Sequence, residues 1–152
     1  MAALTELAGQ TLGGAQRVVI EAGPVRVFAG AVGDSRSDYR AQDTIVPPTY
    51  PFAMSFWGSM GEGGAAGLPI EKLRGPGRML LHGEQEFVYH RWPKVGDTLE
   101  GTTRVTDVSE RQRSDGGSME FYTTSTDWND AATGEPVVST LFTLIVMVRP
   151  AS

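Results

Sequence analysis

The chain has 152 residues, 40% hydrophobic and 20% charged, with a formal net charge of −5 and no cysteine. That length fits one domain around one core, and the composition is that of a folded globular protein. Lack of cysteine excludes disulfides, thiolate catalysis and zinc–thiolate or iron–sulfur sites. An acidic chain without a basic run argues against a nucleic-acid partner.

Residues 1–12 mix Thr5, Glu6 and Gln10 with a few apolar residues and lack the basic region and long apolar run of a signal peptide. No window approaches the roughly 18–20 apolar residues of a membrane span. The expectation is a cytoplasmic protein with no membrane partner.

In chain order, Gly13-Gly14 reads as a break, and Arg17 to Ile20 as a short β-branched strand. Pro24 suits the first turn of a helix, where its missing N–H costs nothing. Val25, Phe28, Ala29 and Val32 then share one helical face, and Gly33 is a natural stop. Asp34 to Gln42 is a polar loop. Pro47, Pro48 and Pro51 hold the next stretch extended. Phe52 to Met60 reads as a second helix, with Phe52, Ala53, Phe56, Trp57 and Met60 on one face and Met54 broadening it. Residues 58–77, rich in glycine, read as a long connection that either lines a pocket, meets a partner or runs over the surface.

From Met79 the period becomes two. Strands are expected over 79–91, 97–109, 118–128 and 136–148. Pro93-Lys94-Val95-Gly96 separates the first pair and Ser114-Asp115-Gly116-Gly117 is a hairpin signal. Residues 129–134 separate the last pair. The last strand is apolar on both faces at its far end, which suits a central position. These elements make a short strand, two helices and an antiparallel meander. One apolar helix wrapped by a curved antiparallel sheet is an α+β hotdog fold, expected as a single domain over residues 1–152.

Three runs carry a family resemblance over about residues 15–148. They are Phe28-Ala29-Gly30-Ala31-Val32-Gly33-Asp34, Ile45-Val46-Pro47-Pro48-Thr49-Tyr50-Pro51, and the long-strand run Gly83-Glu84-Gln85-Glu86-Phe87 with Tyr89-His90-Arg91 and Val95-Gly96-Asp97. In order and spacing they resemble MaoC-like hydratases and dehydratases, specifically the N-terminal-type, non-catalytic hotdog half of (R)-specific enoyl-thioester hydratases and 3-hydroxyacyl-thioester dehydratases. Active members carry Gly-Asp-x-Asn-Pro-x-His, whose aspartate and histidine handle the protons of water and the carbon acid. Here Asp34 matches, but Arg36, Ser37 and Tyr39 stand in place of the asparagine, proline and histidine. Tyrosine, with an ordinary pKa near ~10 against ~6.5 for histidine, is a poor general base at neutral pH. Active members also place a His-Gly pair at the central helix, and the glycine N–H binds the thioester oxygen. Pro47-Pro48 replaces it here, and proline has no N–H. Loss of one such donor costs roughly 3–4 kcal/mol in the transition state of other enzymes.

The resemblance implies a substrate-binding subunit of an enoyl-CoA hydratase or hydroxyacyl-thioester dehydratase. Its partners would be an acyl-CoA or acyl-carrier-protein thioester and a second hotdog chain, in a hetero- or homodimer. No cofactor or metal is expected. His82 and His90 lie eight residues apart, ~26 Å along a regular strand and on one face of it, too far apart for one metal ion. Candidate catalytic residues are Asp34, His82 and Glu84, the last two sharing a face if the strand is regular. Asp34 also reads as a turn residue bonding its own backbone. Tyr39, Phe52, Phe56, Trp57 and Arg91 are candidate substrate contacts, the aromatics serving equally as core. Arg36, Arg40, Arg91 and Lys94 are candidate phosphate contacts or plain surface. Two other readings stay open. One is a homodimeric hotdog acyl-CoA thioesterase using Glu62, Asp34 or Glu84. The other is an acyl-CoA-binding protein without chemistry.

Overall fold

A computed structural model describes residues 4–36, 39, 43–57 and 67–150, without the side chains of 55–57. A single 3₁₀ turn, Thr5–Leu7, precedes strand β1, Thr11–Val19. Helix α1 spans Ala22–Ala31, α2 Tyr50–Trp57 and α3 Ile70–Leu73; four strands follow, β2 Arg78–Tyr89, β3 Thr98–Gln112, β4 Ser118–Asp130 and β5 Pro136–Val148. The long strands form where two-residue periodicity places them. The fold is a single α+β hotdog, a five-stranded antiparallel sheet packed around α2.

Several boundaries and pairings differ from the sequence reading. Gly13-Gly14 does not break the chain. It sits inside β1, where the register with β3 shifts between Leu12 and Gln16 and absorbs it as an irregularity. The helix α2 begins at Tyr50, two residues before the expected start, because Tyr50 N–H already bonds Pro47 C=O at 2.9 Å. The expected extension of this helix over 58–60 lies outside the described residues. The long connection contains α3, and Val32 lies 52% exposed rather than on the buried stripe of Val25 and Ala29.

The largest difference is topological. The strand order is β1-β3-β4-β5-β2, so β2 does not make a hairpin with β3. It crosses to the far side and pairs antiparallel with β5 from Arg78↔Val148 to Tyr89↔Val138. A turn signal such as Pro93 to Gly96 marks a reversal of the chain but not which strand receives it. Strand β5 is therefore central, with β4 and β2 on its two sides, which accounts for apolar residues on both of its faces.

The inner face reads Val138, Thr140, Phe142, Leu144 and Val146 on β5, and Glu120, Tyr122, Thr124, Thr126 and Trp128 on β4, all buried. Two apolar clusters rest on it. One packs Val25 and Ala29 of α1 and Tyr50, Ala53 and Met54 of α2 against Leu99, Trp128 and Val138. The other packs Leu68 and Leu73 against Val105, Tyr122, Phe142, Leu144 and Val146, with Leu4, Leu7 and Leu12 alongside. Gly101 on β3 faces the Trp128 ring directly; a Cβ there would meet ring carbons at 2.5–2.7 Å. The substitution Gly101→Ala should therefore cost about 1–3 kcal/mol by overpacking, read as a lower urea midpoint with an unchanged m-value.

Candidate functional site

The loop after α1 carries the signature positions. Gly33 takes a left-handed conformation (φ 76°), and Asp34 N–H returns to Ala29 C=O at 2.8 Å, the pattern of a glycine-terminated helix. This turn delivers the Asp34 carboxylate to its neighbours. Oδ1 accepts Arg36 N–H at 3.2 Å, and the Arg36 guanidinium donates to both carboxylate oxygens at 3.1–3.3 Å. Tyr39, only 1% exposed, donates its hydroxyl to Asp34 Oδ2 at 2.5 Å and accepts a hydrogen bond from Arg36 Nη2. The Arg36 guanidinium carbon also lies 4.8 Å from the Tyr39 ring centroid. Asp34, Arg36 and Tyr39 thus close on one another. The carboxylate is neutralised by a permanently charged guanidinium and satisfied by a phenol, so it holds the loop and offers little to an incoming water.

At the entry to α2, Val46 and Pro47 are buried, and the Pro48 carbonyl accepts a hydrogen bond from Tyr89 of β2. Neither proline can offer an N–H. Tyr50, 1% exposed, packs edge-on against Phe28 at 5.6 Å between centroids. Burial, then the charge of Glu21, pushes its phenol up to about 12, so it stays protonated at neutral pH.

The edge strand β2 overturns two sequence expectations. Its register takes in an extra residue between His82↔Leu144 and Glu84↔Thr143. Gly83 fills that bulge, where a Cβ would strike Ile145 at 2.7 Å and approach the Thr143 carbonyl at 3.0 Å. A bulge inverts the alternation. His82 lies on the inner face, its ring edge-on to Phe52 of α2 (5.3 Å) and to Phe142 of β5 (4.8 Å). Glu84 lies on the outer face, exposed, and is no partner for His82. His90 follows inward-facing Tyr89 and sits outside, 3.4 Å from the Ser139 hydroxyl, so the histidines occupy opposite faces. Gln85 returns to the inner side and donates to Leu141 C=O at 2.7 Å.

Arg91 is held at the end of the sheet by two carboxylates, Asp97 at 2.6 Å and Asp130 at 3.0 Å. The bond to Asp97 does most to raise its pKa further. Backbone N–H groups of Ala132 and Thr133, then Arg91, hold the Asp130 carboxyl below the usual range. To reach a phosphate, Arg91 would first have to leave both carboxylates. Lys94 pairs with Asp43 at 3.4 Å. Phe52 reaches the inner face, whereas the Phe56 and Trp57 side chains, Arg40 and Glu62 lie outside the described residues. Among the described residues no group of three or more His, Asp or Glu is arranged to hold a metal ion, and no helix is long and apolar enough to cross a membrane.

One polar cluster was missed in the sequence. Glu120, fully buried, takes a bidentate contact from Arg78 (3.1 and 2.5 Å) and the hydroxyl of Tyr122 at 2.7 Å. Arg78 also donates to Leu73 C=O, and Tyr122 accepts the Leu4 N–H. Burial, then the Glu120 contact, pushes the Tyr122 phenol up to about 12. The signal was present: in 118–128 the inward register contains one carboxylate, Glu120, which demands a buried partner.

The sheet wrapped around α2 defines a hotdog protein. The chain belongs to the family described as FAS1-like, dehydratase domain region, which matches residues 6–140. A relative in Thermobifida fusca, a UPF0336 protein, is 28% identical over 131 residues, covering 80% of this chain and 79% of its own length. Among solved structures, the HadBC (3R-hydroxyacyl-ACP dehydratase) complex of Mycobacterium tuberculosis is similar at a TM-score of 0.68 and 17% identity, covering 91% of this chain and 96% of that one. The MaoC-like dehydratase of Rhodospirillum rubrum is similar at a TM-score of 0.65 and 18% identity, covering 99% of this chain and all of that one.

Removing one member of the buried pair should leave the other charge stranded. Glu120→Gln, or Arg78→Met alone, should cost about 3–5 kcal/mol, whereas Arg78→Met combined with Glu120→Leu should recover much of the loss. Urea unfolding of the three variants checks this.

Proposed function

We propose that this chain is the substrate-binding half of an (R)-specific enoyl-thioester hydratase or 3-hydroxyacyl-thioester dehydratase, acting on an acyl-CoA or acyl-carrier-protein thioester. A second hotdog chain pairs with it and supplies the general base and the oxyanion N–H. The observation that carries this reading is the closed Asp34–Arg36–Tyr39 cluster at the signature positions. A general base needs an available lone pair and a pKa near the working pH. Asp34 has its oxygens occupied by a guanidinium and a phenol, and Tyr39 is not a base at neutral pH. Pro47-Pro48 independently removes the backbone donor.

The sheet margin supports pairing. Strand β2 is bonded on one side, to β5, and lies at the edge of the described sheet. Met79 and Val88 on that strand and Trp92 just beyond it are 41–52% exposed. An open, partly apolar strand edge is a template for another strand. The complex described for the similar dehydratase of Mycobacterium tuberculosis is compatible with a two-chain assembly.

The test is hydration of crotonyl-CoA and longer enoyl-CoAs by the pure chain, alone and mixed with a hotdog chain that carries Gly-Asp-x-Asn-Pro-x-His. The chain alone should show no hydration, and the mixture should turn over. Tyr39→His alone should leave the isolated chain inactive, because the missing backbone donor remains; adding Pro48→Gly should yield at most a trace. Hydration by the isolated wild-type chain near the typical ~10 s⁻¹ would overturn the proposal.

A further inference from the structure

The inner-face position of His82 is not used by anything described so far. Its ring is bracketed by Phe52 and Phe142, yet the residue remains exposed, and no hydrogen bond engages its ring nitrogens among the described residues. It stands where the two apolar clusters meet: Phe52 belongs to α2 over the first, and Phe142 to the second. It is also on the margin strand, at the edge where a second chain would pair. The arrangement is built rather than incidental. The pairing with Leu144 puts His82 on the inner face, and the extra residue at Gly83 sends Glu84 to the other face; a Cβ at Gly83 would crowd Ile145 and the Thr143 carbonyl.

An imidazole with apolar rings beside it and a free N–H suits a ligand that is apolar with one polar point. An enoyl thioester has one hydrogen-bond acceptor on its acyl part, the thioester carbonyl oxygen. We propose that His82 is this chain's own polar contact to the substrate: its ring N–H donates to the thioester carbonyl oxygen while Phe52 and Phe142 flank the acyl chain. The inference rests on the substrate-binding reading above and deepens it by naming the group that holds the reacting end. No bond to carbon is made or broken by His82 in this role; proton transfer stays with the second chain. Covering the β2 edge would remove water from this contact and strengthen it.

Two measurements test it. In the first, the chain is ¹³C-labelled at histidine and titrated with crotonyl-CoA, alone and paired with the second hotdog chain. It has two histidines, and they lie on opposite faces, so His90 is an internal control. The His82 ring signal should move with crotonyl-CoA and not with free CoA, while His90 stays fixed. In the second, His82→Phe preserves the aromatic packing and removes the donor. The variant should still assemble with its partner, judged by sedimentation, but lose about tenfold in kcat/KM, the scale of one lost hydrogen bond. His82→Gln should recover part of that loss. A silent His82 signal in both states, or wild-type kcat/KM in His82→Phe, overturns the inference. If the wild-type pair hydrates crotonyl-CoA while His82 is silent, the functional reading stands and this site falls. If the pair is inactive yet crotonyl-CoA moves His82, the site stands and the hydratase reading falls.

Discussion

Between His82 and Glu84 the β2–β5 ladder takes in one extra residue, and the side chains after it change face. Much of the chain's chemistry follows from that register. Without the bulge, His82, Glu84 and Glu86 would share a face, and a carboxylate–imidazole pair would stand on the strand. With it, the glutamates go to the outer side, and His82 and Gln85 go in under α2. Side-chain period in a strand is two, so a one-residue slip is enough to exchange an apparent acid–base pair for a lone imidazole among aromatic rings. Gly83 permits the slip because its missing Cβ leaves room for Ile145.

The loop after α1 works by a different constraint. The Arg36 guanidinium sets its charge against the Asp34 carboxylate at 3.1 Å. Tyr39 completes the closure from within the core, where its ring packs with Val46, Tyr50 and Ala53 in the same cluster. Asp34 receives the Arg36 backbone N–H and ties down a loop whose geometry follows from the Gly33 helix stop. The far end of the sheet is closed by the Arg78–Glu120–Tyr122 cluster, which ties β2 and β4 to α3 and to the N-terminal segment.

Strands β3, β4 and β5 were legible because each alternates buried with more open positions, and burial enforces period two; β2 alternates between half-buried and exposed positions. The two helices were legible from their apolar stripes and proline starts. Three things were not. Pairing order was hidden because a turn records a reversal and not a neighbour, so β2 was placed beside β3 instead of β5. The bulge was hidden because Gly83 in a strand reads equally as a weak position or an insertion. The Asp34 cluster was half legible: the sequence shows that the histidine is absent, whereas the pairing of Arg36 with Asp34 depends on a three-dimensional turn. Arg91 shows the same limit, since the carboxylates that hold it come from the β2–β3 turn and the end of β4.

In the proposed pair, Asp34 is a loop anchor and the reacting base lies in the second chain. Turnover of the assembled pair carrying Asp34→Asn in this chain tests it most directly. Asparagine keeps one carbonyl oxygen for the Arg36 N–H, puts an NH2 where Oδ2 accepts the Tyr39 hydroxyl, and cannot act as a base. Enoyl-CoA hydration by that pair should run at the wild-type rate, with a lower thermal midpoint from the weakened loop anchor. Abolished turnover in a pair that still assembles would contradict it, and would place the reacting base in this chain.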